Sequence, residues 1–144
     1  MLRTLRRTGA ADLAARLEKA HGLVLQNTHR RSARAWIPAV AEQIPGEPQV
    51  VDYGVPVAAE ARHRAEILGR EVYPEPHHKA AALLCELARN PSLEMKNLLF
   101  AATVTAACLS ACGMPVRPGL DTVLPLARAA RDGLPVREVT LRLR

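Results

Sequence analysis

A chain of 144 residues is long enough to bury the core of one domain without disulfides or metals, and short for two. Its 49% apolar and 24% charged residues suit a globular protein, while aromatics at 3% exclude a platform on which single-stranded bases stack. The formal charge of +6 is uneven: Arg3, Arg6, Arg7, Arg16, Lys19, Arg30, Arg31 and Arg34 face only Asp12 and Glu18 over the same stretch. That concentration reads either as a footprint for nucleic acid or an acidic partner, or as a solvated basic face.

Leu13, Ala14, Leu17 and Ala20 repeat at helical spacing over 10–20, and His21-Gly22 ends the run. A second helical stretch covers 30–44, anchored by Trp36 and Ile37, with Pro38 marking a kink or a start. Residues 49–53 (QVVDY) form the one extended run, closed by Gly54 and Pro56, so a short hairpin or flap is expected near 49–56. The pattern is helical again over 58–68 and stops at Gly69, and Pro74 and Pro76 then impose a connector. Two long helices follow. One covers 77–90, with Ala81, Leu84, Cys85 and Ala88 on one side. The other covers 93–112 and is apolar almost all round, as a central buried helix would be, with Gly113 as its C-terminal cap. Asp121 begins a further helix to 131, and Pro135 begins the last.

Cys85, Cys108 and Cys112 lie in these apolar stretches, so free buried thiols are expected rather than a disulfide framework or a zinc site. The stretch 98–112 is too short to span a bilayer, and the first residues lack the apolar segment of a secretory signal. The expectation is a cytoplasmic protein of one domain over 1–144 that makes no use of a membrane.

The stretch YPEPHHKAAALLCELARN, followed by NLLFAATVTAACLSACG, resembles the Fic/Doc family, in particular its small death-on-curing branch. Tyr73-Pro74, Lys79 through Leu84, Arg89-Asn90 and the Ala-rich helix ending at Gly113 carry the likeness, which extends over about 49–144. Val51-Asp52-Tyr53-Gly54, with Arg62 beyond it, resembles the segment that forms the family's substrate-aligning flap. The resemblance implies an all-α, compact helical bundle around a central buried helix. It also implies a loop motif, His-x-Phe-x-Asp/Asn-Gly/Ala-Asn-Lys-Arg, that performs phosphate-linked transfer. In that motif the His is a general base, the acid holds magnesium against phosphates, and the helix N-terminus with its small residue makes an anion hole.

Laid on that motif without a gap, the sequence keeps little of its chemistry. Pro91 stands at the His, Leu93 at the Phe, Met95 at the acid and Lys96 at the small residue. Asn97 matches, and Leu98 and Leu99 replace the basic pair. The expectation is a degenerate family member that has lost nucleotidyl and phosphotransfer chemistry and acts by binding or regulation. Its partner would be another protein, a second copy of itself, or nucleic acid through the basic N-terminal region. An alternative is a divergent enzyme reusing the groove for other small-molecule chemistry, with Asn90, Ser92, Glu94, Lys96 and Asn97 as ligand-binding residues. Glu94, Lys96 and Asn97 would then be its catalytic candidates. A working toxin transferring phosphate or AMP is the third reading. No metal site and no cofactor are expected, and Mg/ATP enters only if the family's activity survives.

Overall fold

The computed structural model describes residues 16, 19, 36–114 and 119–144. The helix expected over 10–20 and the first part of that expected over 30–44 lie outside the described residues, apart from Arg16 and Lys19, whose backbone is helical. Among the described residues the protein is mainly α, with six helices: α1 Trp36–Ala41, α2 Gly54–His63, α3 Pro76–Arg89, α4 Asn97–Ala111, α5 Leu120–Arg131 and α6 Val136–Leu143. One two-stranded hairpin, β1 Glu66–Ile67 against β2 Arg70–Glu71, lies between α2 and α3.

Helix α4 is central. Ten consecutive residues, Phe100 to Leu109, are buried, because the segment offers no polar face to turn outward. Its two deep hydroxyls are satisfied within the helix: Thr103 Oγ1 donates to Leu99 O and Thr105 Oγ1 to Ala101 O, both at 2.8 Å. Helix α3 packs against it, with Ala80, Ala81, Leu84 and Ala88 buried in the shared core, and α1, α5 and α6 contribute to the same continuous core. With so few aromatics, this core depends on alanines that let helix axes approach closely.

Local chemistry sets the helix ends. Gly113 (φ +75°) is the expected cap of α4: its N–H bonds Ser110 O at 3.0 Å and the next N–H, of Met114, bonds Leu109 O at 2.9 Å. The same pattern ends α5 at Gly133, where Leu134 N–H reaches Ala129 O at 2.9 Å. Arg89, at the end of α3, wraps that turn, donating from Nε to Ala130 O at 2.9 Å and from Nη2 to Leu134 O at 2.7 Å.

Four expected boundaries move, the first being α1, which ends at Ala41 rather than 44. Helix α2 runs 54–63 rather than 58–68. Asp52 Oδ1 accepts the Gly54 N–H at 2.9 Å, and Pro56 sits in the first turn, where its missing donor costs nothing. The hairpin forms at 66–71 and not near 49–56. Leu68 and Gly69 both take positive φ, 52° and 77°, as a two-residue turn of primed type requires. Helix α4 begins at Asn97 rather than 93, because 93–95 are drawn into a loop and Lys96 breaks the helix in a left-handed conformation (φ 59°).

Candidate functional site

The loop 90–96 between α3 and α4 holds the residues singled out from the sequence. Pro91 ends α3: the residue before a proline is driven out of helical backbone, and Asn90 sits at φ −119°, ψ 103°. Leu93, at the family's Phe position, is 2% exposed and plugs the loop into the core. Asn97 then clamps the loop. Its Oδ1 accepts the N–H groups of Ser92 (3.0 Å) and Leu93 (2.9 Å), and its Nδ2 donates to Leu93 O (2.9 Å).

The extended run 49–52 lies across this loop as a strap. Val50 bridges Leu93 in antiparallel sense, Glu94 N–H bonds Gln49 O at 3.0 Å, and Val51 N–H bonds Ser92 O at 2.8 Å. The segment likened to a flap therefore pairs with the loop itself rather than folding on itself. Glu94 adds a side-chain tie, its Oε1 accepting the Gln49 N–H at 3.1 Å. Lys96 reaches the other way, donating from Nζ to Pro45 O at 2.6 Å in the turn that ends the α1 segment. Its left-handed backbone is one that glycine adopts without strain, so Lys96 keeps a shape natural to the small residue of the motif it resembles, with its long, exposed side chain turned to the Pro45 carbonyl.

The other positions are placed as follows. Asn90 bonds back to Glu86 through Nδ2, to the carbonyl at 3.1 Å and to the carboxylate at 3.3 Å. Ser92 is fully buried, and its Oγ has no hydrogen-bond partner among the described residues. Met95 is 54% exposed, and Leu98 and Leu99 pack against the core. His78, at the start of α3, meets Tyr73 edge-on with ring centroids 5.7 Å apart. Among the described residues no group of three or more His, Cys, Asp or Glu side chains is gathered as a metal ion would need.

Several features escape sequence reasoning. A cavity of about 550 Å³ opens beside the strap, with Arg16, Lys19, Glu42, Glu47 and Gln49 among its lining. An open cleft of about 690 Å³ gathers Arg62, Arg89, Arg131 and Arg137 with Tyr73. The sequence concentrates positive charge near the N-terminus, and only folding brings these four arginines together. In the cleft Arg62 bonds Tyr73 Oη at 3.2 Å and Glu86 Oε2 at 3.0 Å. Val51, Tyr53 and Val57 stand exposed on the strap and the start of α2, as Met95 does on the loop. Cys112 is exposed, a correction to the expectation of three buried thiols.

A 48-residue stretch of the chain is 52% identical to Toxin Doc of Mycolicibacterium smegmatis, covering 33% of this chain. The match spans 37% of that protein's length, a little over a third. No profile of a known family matches the chain, and no solved structure matches it. The Doc-like resemblance is thus supported over part of the chain, and the mainly helical architecture is compatible with a Fic/Doc-like fold. No helix among the described residues is long and apolar enough to cross a membrane.

Proposed function

We propose that this is a Doc-like protein that has given up nucleotidyl and phosphate transfer and works by binding a partner at the strap and loop. The observation that carries this reading is how the loop's polar side chains are used. Asn97 clamps the loop, Glu94 ties it to the strap and Lys96 ties it to the Pro45 carbonyl. They hold a shape and leave Pro91, which has no ionisable group, at the position of the base. A magnesium–nucleotide site of the family's kind does not fit these residues. Such a site needs a carboxylate facing the phosphates. The acid position holds Met95, and the loop's one carboxylate, Glu94, accepts a backbone N–H. The exposed Val51, Tyr53 and Met95 give the same region an apolar character suited to a protein surface. The divergent-enzyme reading gains nothing here, since Ser92 is buried and the other four polar residues are engaged within the chain.

The test is transfer from ATP, GTP or CTP, labelled at the α or γ phosphate, to proteins of a cell extract with magnesium present. The purified chain is expected to label nothing, and its induced expression to leave growth unchanged. Label transfer by the unaltered chain overturns the reading. A variant carrying Pro91→His, Met95→Asp, Lys96→Gly, Leu98→Lys and Leu99→Arg restores the ionisable and small positions of the family motif, leaving Leu93 as the plug, and is expected to bind nucleotide where the parent does not.

A further inference from the structure

The open cleft of about 690 Å³ takes none of its lining from the loop 90–96 or the strap 49–52. Three parts of the chain build it. Arg62 comes from the last turn of α2, with Tyr73 from the connector after the hairpin. Arg89 is the last residue of α3. The turn between α5 and α6 supplies Arg131 and Asp132, and α6 opens on Val136 and Arg137.

How each charge is already engaged decides what the cleft offers a ligand. Arg62 is paired, its Nη1 3.0 Å from Glu86 Oε2, and its Nε donates to Tyr73 Oη at 3.2 Å. Arg131 meets Asp132 at 3.2 Å, but both side chains are more than half exposed, and such a pair is weak and readily exchanged. Arg89 donates only to carbonyls, from Nε and Nη2, so no carboxylate cancels its charge. Arg137 is exposed and pairs with no carboxylate among the described residues. Glu138, its neighbour in the first turn of α6, lies outside the lining. Two of the four arginine charges are thus uncompensated. Tyr73 Oη accepts from Arg62, which leaves its own hydrogen to donate.

We propose that this cleft binds a small phosphate compound, with a terminal phosphate group held by Arg137, Arg131, Arg89 and the Tyr73 hydroxyl. A terminal phosphate carries about −1.5 to −2 charges at pH 7 and three acceptor oxygens. That charge matches the two uncompensated arginines, and a carboxylate's two oxygens would leave donors unused. Guanidinium groups present parallel N–H pairs that suit phosphate oxygens. The first N–H groups of α6 have no acceptor within the helix, and its positive end adds to the same field. The volume falls within the roughly 300–1,000 Å³ of small-molecule sites, so an organic portion fits beside the phosphate. A nucleic-acid backbone carries one charge per phosphate and calls for a stripe of cations rather than one cleft. In the complex the phosphate takes the place of Asp132 on Arg131.

The test is calorimetric titration of the full chain with pyrophosphate at low ionic strength and without magnesium. Saturable binding of one ion per chain is expected. Arg137→Ala and Arg131→Ala are each expected to weaken it at least about tenfold, the loss that goes with a hydrogen bond to a charged group. Neither residue bonds across elements, so both variants keep the fold. Asp132→Asn is expected to tighten binding about threefold, and Arg70→Ala, on the exposed hairpin, to leave it unchanged. Absence of saturable binding, or Arg137→Ala no weaker than Arg70→Ala, overturns the proposal. A single-stranded oligonucleotide bound more tightly than pyrophosphate through the same arginines also overturns it, in favour of nucleic acid.

Discussion

At the scale of single residues, Asn97 illustrates how one side chain reads differently in sequence and in structure. The motif comparison finds it as the one polar position retained, and the structure gives it three bonds that shape the loop. Asn97→Ala leaves two loop N–H groups without an acceptor, one of them on the buried Ser92. The expected loss is about 2 kcal/mol, read from the denaturant midpoint at unchanged slope. His63 has no sequence signature at all. It is 7% exposed, its two ring nitrogens lack hydrogen-bond partners among the described residues, and burial lowers its pKa from 6.5 to about 4, helped by Arg64 and Lys79. Between those values the unfolded chain binds a proton that the folded chain refuses. Stability is therefore full above the unfolded pKa and falls as pH drops through the window, by on the order of 3 kcal/mol. Comparing unfolding near pH 7 and about pH 4.5, His63→Leu is expected to lose less stability than the wild type.

At the scale of elements, the long helices were legible because their apolar residues recur at helical spacing and glycine ends two of them. The strap and hairpin were not. QVVDY reads as extended, but its partner lies 45 residues away in sequence at Glu94, and nothing local announces that pairing. The hairpin turn Leu68-Gly69 lacks the Asn-Gly or Asp-Gly signal, and the apolar spacing before it reads as helix. Arg89 shows the opposite case, a familiar residue with an unforeseen duty. It ties the end of α3 to the carbonyls that end α5. Arg89→Met keeps the stem and removes the fork, and is expected to cost about 1–3 kcal/mol in thermal or denaturant unfolding. Leu93→Ala, which empties the loop's plug, is expected to cost about 2–5 kcal/mol by the same measurement.

At the scale of the whole molecule, the helical class and the central helix follow from composition, since alanine, leucine and valine supply most of the core, with Trp36, Ile37, Ile44 and Phe100 as its bulkier members. The candidate site was legible as a set of positions but not as an arrangement. Glu94 and Lys96 invite a chemical role in sequence because both are ionisable, and only the fold reveals the Gln49 N–H and Pro45 carbonyl that occupy them. The arginine cleft has the same cause: Arg62, Arg89, Arg131 and Arg137 meet through tertiary packing. Close packing of alanines also sets a tolerance. Ala81 is fully buried in α3 within the core shared with α4, and Ala81→Leu is expected to cost about 1–3 kcal/mol, visible as a lowered melting temperature.

The burial of α4 on every side has a consequence for time as well as for stability. Ten consecutive residues from Phe100 to Leu109 carry no charge, and they are shielded from solvent only while the surrounding helices stay in place. When those helices open, this run is presented whole to other unfolding chains, and association competes with refolding. Heated samples are then expected to give an apparent midpoint that rises with scan rate and falls with protein concentration. Recovery of the native signal on cooling should improve as the chain is diluted.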